Sequence, residues 1–355
     1  MLPDRIDPRP PLHVYRWDLD KTYLRTDFDT LRQLVKSAFE TAAEKRNVPG
    51  TAALLRELKT HGPQPNRVCI ISGSPRQLRR RIEEKLRLDR VEWDELVLKP
   101  NVSNMLRGRF RAIRGQVGYK LPALLESRAK TPVETKETLF GDDAEADAFI
   151  YSLYADFVAG RVERRVLTEI LKAARAYPDE VERTLAAAKR IDPGQAVQRI
   201  FIHLDRLTPP GRFAPYGARV VPIYNYFQAA LVLMADGQIG PTGALRVAAE
   251  MVTNYGYSLI SLSNSLQDMV RRGFVVGDVA RSLLEALRTE NPLFNFLRPA
   301  PDIVAAIARR VTSLGAPAPP PAAPTQMIDY LTLAKTSSPR TSSETAIEEE
   351  EGLES

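Results

Sequence analysis

The sequence predicts an α/β fold, in which a Rossmann-like parallel sheet with crossover helices is followed by an all-helical domain. In the first half of the chain, short apolar runs alternate with helical patterns, which is typical of parallel sheets. After residue 211 the apolar residues follow a helical period. The chain has 355 residues, of which 44% are hydrophobic and 26% charged, so it can bury a sizeable core.

The elements of the first half follow from these patterns in order. Apolar runs predict four strands, at residues 14–17, 68–71, 96–97 and 137–140. Helical periods predict four helices, at residues 29–46, 51–60, 76–87 and 120–129. A fifth strand is expected at residues 199–205, because Ile200, Ile202 and Leu204 lie at alternate positions.

The same patterns divide the chain into segments. The sheet domain is predicted at residues 13–210, with a helical insertion at about 155–196, and residues 1–12 form a Pro-rich arm before it. Residues 211–314 are predicted to be all-helical, with apolar stripes that suit helix packing or a homo-oligomer. Residues 315–355 are rich in Pro, Ser and Glu, which predicts a disordered tail.

Composition bears on location and partners. The single cysteine, Cys69, excludes an internal disulfide and suits a reducing compartment. The longest apolar run, residues 229–235, is far shorter than the roughly 20 residues that span a bilayer, and no signal pattern is present, so a cytoplasmic location is expected. The formal charge of +6 favours anionic partners, but no nucleic acid is expected because there is no recognised binding motif for one.

Polar residues follow three of the predicted strands. WDLDKT (residues 17–22) follows the first, ISGSP (71–75) the second and GDDAEAD (141–147) a later one, and Lys120 lies between the last two. In an open parallel sheet the carboxyl ends of the strands lie along one edge, where ligands bind near a switch in strand order. We therefore expect these four segments to meet in space.

The residue types in these segments match the requirements of phosphomonoester hydrolysis. Asp18 can act as the nucleophile, and Asp20 can protonate the leaving oxygen and then activate water. Ser72 offers a hydroxyl and backbone N–H groups in a turn, and the charge of Lys120 offsets repulsion between phosphate and carboxylate. Asp142 and Asp18 supply oxygen ligands of the kind that Mg²⁺ prefers.

Neighbouring residues complete the expected site. The expected substrate-binding residues are Thr22, Gly73, Ser74 and Arg76. Asp20 and Asp143 are expected to join Asp18 and Asp142 at the metal. Several of these residues also have ordinary structural explanations.

Ser72 could instead cap the next helix, and Lys120 could be a solvated lysine at a helix start. Asp143 and Asp147 could likewise cap the helix that follows them. Arg76 and the arginines after it could be a solvated face or could contact an anionic substrate or a membrane surface.

The order of these motifs resembles the haloacid dehalogenase-like (HAD) phosphohydrolase superfamily. Within it, SGSPRQL and GDDAEADAFIY are similar to segments of the actin-patch phosphatidate phosphatase catalytic domain, over roughly residues 13–154 and then 199–209. The resemblance implies a Rossmann-like sheet, dependence on Mg²⁺ and an aspartyl-phosphate intermediate. It assigns these roles to Asp18, Asp20, Ser72, Lys120 and Asp142.

The spacing of the motifs leaves no room for the full cap domain of small-metabolite members, so a minimal cap and an open site are expected. An open site suits a bulky phosphorylated substrate such as phosphatidate, with peripheral membrane contact. The sequence departs from the lipid-phosphatase pattern at Lys21, Arg76 and Asp143. Because Lys21 could pair with an aspartate and lower its basicity, the alternative is a catalytically weak or inactive interaction protein of the same fold that acts through its helical C-terminal half.

Overall fold

The structure is a computed structural model that describes residues 13–24, 46–62, 66–99, 113–289, 309 and 327–336. The predicted arm at 1–12 lies outside the described residues, as does the predicted helix at 29–46 except for its last residue. No helix in the described ranges has the length and hydropathy needed to cross a membrane.

A six-stranded parallel sheet forms the centre of the molecule, which confirms the predicted α/β fold. The strands are β1 (His13–Asp18), β2 (Arg67–Pro75), β3 (Glu95–Lys99), β4 (Lys136–Asp142), β5 (Val197–His203) and β6 (Val220–Ile223). Their order across the sheet is β3-β2-β1-β4-β5-β6. The chain reverses its direction of travel across the sheet between β1 and β4, and such a switch point is where ligands bind in open α/β sheets.

Helices cover both faces of this sheet. The first face carries α1 (Thr51–Thr60), α2 (Arg79–Leu88), α7 (Tyr226–Ala235), α8 (Pro241–Tyr255), α9 (Leu259–Arg271) and α10 (Gly277–Thr289). The second face carries α3 (Ile113–Arg128), α4 (Asp147–Val158), α5 (Arg164–Ala173), α6 (Pro178–Ala188) and α11 (Tyr330–Thr336). Short 3₁₀ turns at Arg76–Leu78 and Pro210–Tyr216 complete the described elements.

Alternation along the strands explains the two layers. Tyr15 and Trp17 of β1 face the first helical layer, together with Phe140 of β4, whereas Leu139 of β4 faces the second layer. Both sheet faces are therefore buried beneath helices and largely apolar, as expected for parallel strands. The polar residues that remain at the strand ends are free to form a site.

The structure differs from the sequence predictions beyond residue 210. Residues 211–314 were expected to be entirely helical, but Val220–Ile223 forms the edge strand β6. This strand is only four residues long and a helix begins three residues after it. The apolar pattern of so short a segment fits a helix as well as a strand. Helices α7–α10 share one apolar core with the sheet instead of forming a core of their own.

Two further elements differ from expectation. Helix α3 is already present at Ile113, so Lys120 lies inside the helix and not at its start. Gly115, Gly118 and Pro122 are poor helix formers, which hid this helix in the sequence. Within the tail that was predicted to be disordered, Tyr330–Thr336 forms α11, and the buried Tyr330 hydroxyl donates to Asp156 Oδ2 at 2.6 Å.

Candidate active site

The predicted motifs meet at the carboxyl edge of the sheet, where β1, β2 and β4 end. Asp18 is the last residue of β1 and Asp142 the last residue of β4, and these strands are neighbours. The ISGSP segment is the end of β2, which pairs with β1 on its other side. The topology therefore places three of the four motifs side by side.

Three carboxylates form a buried cluster at this edge. Asp18, Asp142 and Asp147 each contribute one oxygen, and these oxygens lie within 4.8 Å of one another. Burial raises the pKa of Asp18 and of Asp142 well above the ordinary range, and the other carboxylates raise both further. Such a group of like charges in a buried place is expected where a cation binds.

Among the described residues, Lys120 is the cationic side chain in contact with these carboxylates. Its Nζ lies 3.2 Å from Asp18 Oδ1, 2.7 Å from Glu145 Oε2 and 2.5 Å from Asp147 Oδ1. Burial alone would lower the pKa of Lys120, but the surrounding carboxylates raise it well above its ordinary value, so the ammonium stays charged. Among the described residues, one ammonium thus faces four carboxyl groups, counting Asp142, and their ionisation would leave negative charge for a divalent ion to balance.

Local hydrogen bonds fix the orientation of Asp142. Its Oδ1 accepts the backbone N–H groups of Ala144 at 2.6 Å and Glu145 at 2.9 Å. Asp147 Oδ2 accepts the backbone N–H of Asp142 at 3.1 Å. A side chain at Gly141 would collide with the Asp147 carboxylate, which explains the glycine in this motif.

Asp20 lies in a different environment from Asp18. Its Oδ2 accepts hydrogen bonds from the hydroxyls of Ser72 at 3.1 Å and Ser74 at 3.2 Å, and Ser72 Oγ in turn accepts the backbone N–H of Ser74 at 3.0 Å. The Tyr119 hydroxyl holds the carbonyl of Ser72 at 2.6 Å. The structure thus brings Asp20 to the serine turn and does not include it in the three-carboxylate cluster.

The expected substrate-binding residues are spread around this edge. Thr22 Oγ1 donates weakly to Asp142 Oδ2 at 3.5 Å. Gly73 is half-buried with open space where a side chain would be, and Ser74 faces Asp20. Arg76 is exposed at the first residue of the 3₁₀ turn after β2, at the rim and not in the cluster.

Asp143 faces away from the cluster, contrary to its expected role as a metal ligand. Its Oδ1 accepts the backbone N–H of Arg206 at 2.8 Å, and its Oδ2 accepts that of Thr208 at 2.9 Å. The carboxylate therefore fixes the loop after β5. Leu207, between these two donors, has a left-handed φ of 56° and is 72% exposed at the site rim.

Sequence reasoning did not assign Glu145, Tyr119 or Asp147 to the site. The signal for Asp147 was present in the GDDxxxD spacing, but a helix cap explained it equally well. Glu145 and Tyr119 reach the site because α3 packs beside the loop after β4, and no local sequence pattern predicts that packing. Within the described part of the chain, Lys21 forms no ion pair with Asp18 or Asp20.

Comparison with known proteins agrees with the motif order. Residues 17–167 match the family model of the phosphatidate phosphatase APP1 catalytic domain. No curated protein and no solved structure matches the chain. The resemblance is thus confirmed for residues 17–167, and it identifies this segment as a phosphoric monoester hydrolase domain of the phosphatidate phosphatase type.

Proposed function

We propose that this chain, a phosphoric monoester hydrolase through its residues 17–167, is a Mg²⁺-dependent phosphatase that acts through an aspartyl-phosphate at Asp18. Phosphatidate or another bulky phosphorylated substrate is the proposed ester. The observation that carries this proposal is the environment of Asp18. One oxygen of its carboxylate contacts Lys120, and the other, Oδ2, is buried without a hydrogen-bond partner among the described residues.

An unpartnered carboxylate oxygen at a strand end suits a nucleophile. In the first step, an Asp18 oxygen forms a bond to phosphorus while the ester P–O bond breaks, and the leaving oxygen takes the Asp20 proton. In the second step, water attacks phosphorus and gives its proton to Asp20, the acyl-phosphate bond breaks, and inorganic phosphate leaves. Asp18 and Asp20 both return to their starting state.

The environments of the two aspartates support this division of labour. Asp18 is buried and contacts Lys120, which fixes the orientation of its carboxylate and suits a nucleophile better than a proton carrier. Asp20 is half-buried, and the Ser72 and Ser74 hydroxyls orient it. It therefore has access to the incoming leaving group and water.

The carboxylate cluster suits a divalent cation. Carboxylate oxygens are hard ligands of the kind Mg²⁺ takes, and Asp18, Asp142 and Asp147 would hold it. A bound Mg²⁺ would neutralise charge on the phosphoryl oxygens and so permit an anionic nucleophile to approach. Lys120 supplies the remaining positive charge beside Asp18.

We also propose that the site faces a lipid surface. Leu207 in the loop after β5 and Arg76 in the turn after β2 are both exposed at the carboxyl edge of the sheet, and apolar and basic side chains on one edge suit contact with anionic headgroups. Replacing Leu207 by Glu should reduce hydrolysis of phosphatidate in vesicles several-fold and leave p-nitrophenyl phosphate unaffected. Leu88→Glu is the matched control, since Leu88 is also exposed but ends α2 at the far edge. Equal losses in both variants would refute the lipid-facing rim.

The experiment that tests the proposed function is phosphate release from phosphatidate and from p-nitrophenyl phosphate. We expect turnover with Mg²⁺, no turnover after chelation by EDTA, and recovery when Mg²⁺ is restored. Unchanged turnover after thorough chelation would exclude the metal mechanism. Absence of turnover with either ester under all metal conditions would exclude the proposed function and favour an interaction protein.

A further inference from the structure

Tyr226, the first residue of α7, has a buried hydroxyl without a hydrogen-bond partner among the described residues. Its ring belongs to an aromatic stack. The ring centroids lie 5.3 Å from Trp17, 6.5 Å from Phe140 and 5.6 Å from His203. Tyr226 lies outside the matched segment 17–167, so the family resemblance assigns it no role.

Packing alone does not explain a tyrosine at this position. A buried hydroxyl that lacks a partner is destabilising, and phenylalanine would fill the same stack without that cost. Other buried tyrosines have partners: Tyr154 donates to Glu137 Oε2 at 2.6 Å and Tyr119 to the Ser72 carbonyl at 2.6 Å. The hydroxyl of Tyr226 therefore requires an acceptor that the described residues do not provide.

The neighbours of the Tyr226 ring are neighbours of the carboxylate cluster. Trp17 directly precedes Asp18 in β1, and Phe140 lies two residues before Asp142 in β4. His203 pairs with Asp142 in the sheet register. Burial raises the pKa of Tyr226 well above its ordinary value, and the charges of Asp142, Asp18 and Asp147 raise it further, so the phenol remains a neutral donor.

The start of α7 is held firmly, so the ring has a defined position. Asn225 Oδ1 accepts the backbone N–H of Gln228 at 3.2 Å, and Asn225 Nδ2 donates to Ser265 Oγ at 2.8 Å. Gln228 Nε2 donates to Asp268 Oδ2 at 3.0 Å. Helix α9 thereby fixes the residues on both sides of Tyr226, which connects the helical half to the carboxyl edge of the sheet.

We propose that Tyr226 is a positioning residue of the active site, whose hydroxyl donates a hydrogen bond to a water molecule of the cation held by the carboxylate cluster. This inference rests on the proposed metal site and extends it to a residue of the helical half. Tyr226 transfers no proton and contacts no substrate. It orients the oxygen that it binds and strengthens cation binding.

The test is Tyr226→Phe, which keeps the ring and removes only the hydroxyl. Isothermal titration calorimetry with MgCl₂ should give a Kd about 3- to 10-fold higher than wild type, since one hydrogen bond is lost. The Mg²⁺ concentration for half-maximal hydrolysis of p-nitrophenyl phosphate should rise by a similar factor. The Tm in EDTA should not fall, because no described residue accepts a hydrogen bond from the lost hydroxyl.

Tyr154→Phe is the matched control, because it removes a buried hydroxyl that has a partner, Glu137, away from the cluster. It should lower the Tm and leave the Mg²⁺ affinity unchanged. If Tyr226→Phe binds Mg²⁺ as wild type does, or lowers the Tm as Tyr154→Phe does without weakening Mg²⁺ binding, the inference is overturned. If wild type neither binds Mg²⁺ nor hydrolyses the ester, the proposed function itself fails.

Discussion

Strands β1 and β4 each carry buried charge at two places, and the two places differ in how that charge is satisfied. Away from the carboxyl edge, Arg16 of β1 pairs with Glu137, the second residue of β4. Glu137 Oε2 accepts from Arg16 Nε at 3.0 Å and from the Tyr154 hydroxyl at 2.6 Å, and Oε1 accepts from Arg16 Nη2 at 2.8 Å and Arg128 Nη1 at 3.3 Å. Every oxygen has partners, as a structural ion pair requires.

The carboxyl ends of the same strands show the opposite arrangement. There, Asp18, Asp142 and Asp147 form a cluster, and the Lys120 ammonium contacts Asp18, Asp147 and Glu145. Asp18 Oδ2 has no hydrogen-bond partner among the described residues. Burial would raise the pKa of Glu137, but Arg16 and the other partners lower it, whereas the pKa of Asp18 is raised. Buried charges whose partners are supplied by neighbouring side chains stabilise the fold. Buried carboxylates that lack such partners indicate a bound ligand.

The largest expected effect on turnover comes from Asp18→Asn. The amide keeps the shape of the carboxylate but cannot attack phosphorus, so turnover of both esters should fall by about 10⁴-fold or more. Circular dichroism should show an intact fold, and the Tm in EDTA should rise because repulsion within the cluster decreases. A variant that retains more than a tenth of wild-type turnover would refute the role of Asp18.

The second effect separates Asp20 from Asp18 by the leaving group. Asp20→Asn should slow hydrolysis of an alkyl phosphate by about 10²- to 10⁴-fold, because the alkoxide leaving group needs a proton. The loss with p-nitrophenyl phosphate should be smaller by at least an order of magnitude, since p-nitrophenolate leaves without a proton. Asp18→Asn serves as the control, with equal losses for both esters. Equal losses in the Asp20 variant would mean that Asp20 only holds the turn.

The third effect concerns the metal requirement. Asp142→Asn and Asp147→Asn should each raise the Mg²⁺ concentration for half-maximal turnover by about 10- to 100-fold, in the range found when metal-site residues are altered. Asp143→Asn is the control, because the Asp143 carboxylate faces the loop at Arg206 and Thr208. A larger shift for Asp143 than for Asp147 would overturn the assignment of the cluster.

The smallest effect on turnover is expected at the Arg16–Glu137 ion pair. Glu137→Gln leaves Arg16 and Arg128 buried without a counter-charge, so the free energy of unfolding should fall by about 3–5 kcal/mol. Turnover per folded molecule, measured below the Tm of the variant, should stay within about twofold of wild type, a change small on the scale of catalytic effects. A loss of turnover without a loss of stability would contradict the distinction between the structural Arg16–Glu137 pair and the catalytic carboxylate cluster.

The same variant tests how the contribution of Glu137 to the free energy of unfolding depends on pH. Because the pKa of folded Glu137 lies below the ordinary 4.5, its contribution to stability is fully present above pH 4.5 and is lost as the pH falls through the folded pKa. Urea unfolding at neutral pH and below pH 4.5 should therefore show the difference between wild type and Glu137→Gln shrinking in acid. A constant difference would mean that the charge of Glu137 contributes nothing.

The sequence predicted the sheet and the meeting of its motifs because both follow from local patterns. Alternating strands and helices specify a parallel sheet, and the sheet places WDLDKT, ISGSP and GDDAEAD at one edge. The orientation of individual carboxylates was not predictable in this way. Asp142 and Asp143 are adjacent, yet Asp142 faces the cluster and Asp143 faces the loop after β5, where it contacts the backbone of residues 206 and 208.

The other features of the site that the sequence did not predict also depend on tertiary contacts. Lys120 was assigned from its place in the motif order, but its partners Glu145 and Asp147 depend on how α3 packs beside the loop after β4. Tyr226 lies far along the chain in a region with no recognisable motif, and only the aromatic stack brings it to Trp17. No single-sequence pattern encodes such contacts.

The central claim, that Asp18 is the nucleophile, is tested most directly by trapping the covalent intermediate. Asp20→Asn should slow hydrolysis of the acyl-phosphate, because the variant lacks the base that activates water. After p-nitrophenyl phosphate is mixed with this variant and Mg²⁺ and the reaction is quenched in acid, we expect a hydroxylamine-sensitive phosphate that peptide mass spectrometry places on Asp18. Phosphate on another residue, or product formation at the same rate with Asp18 never modified, would contradict the account.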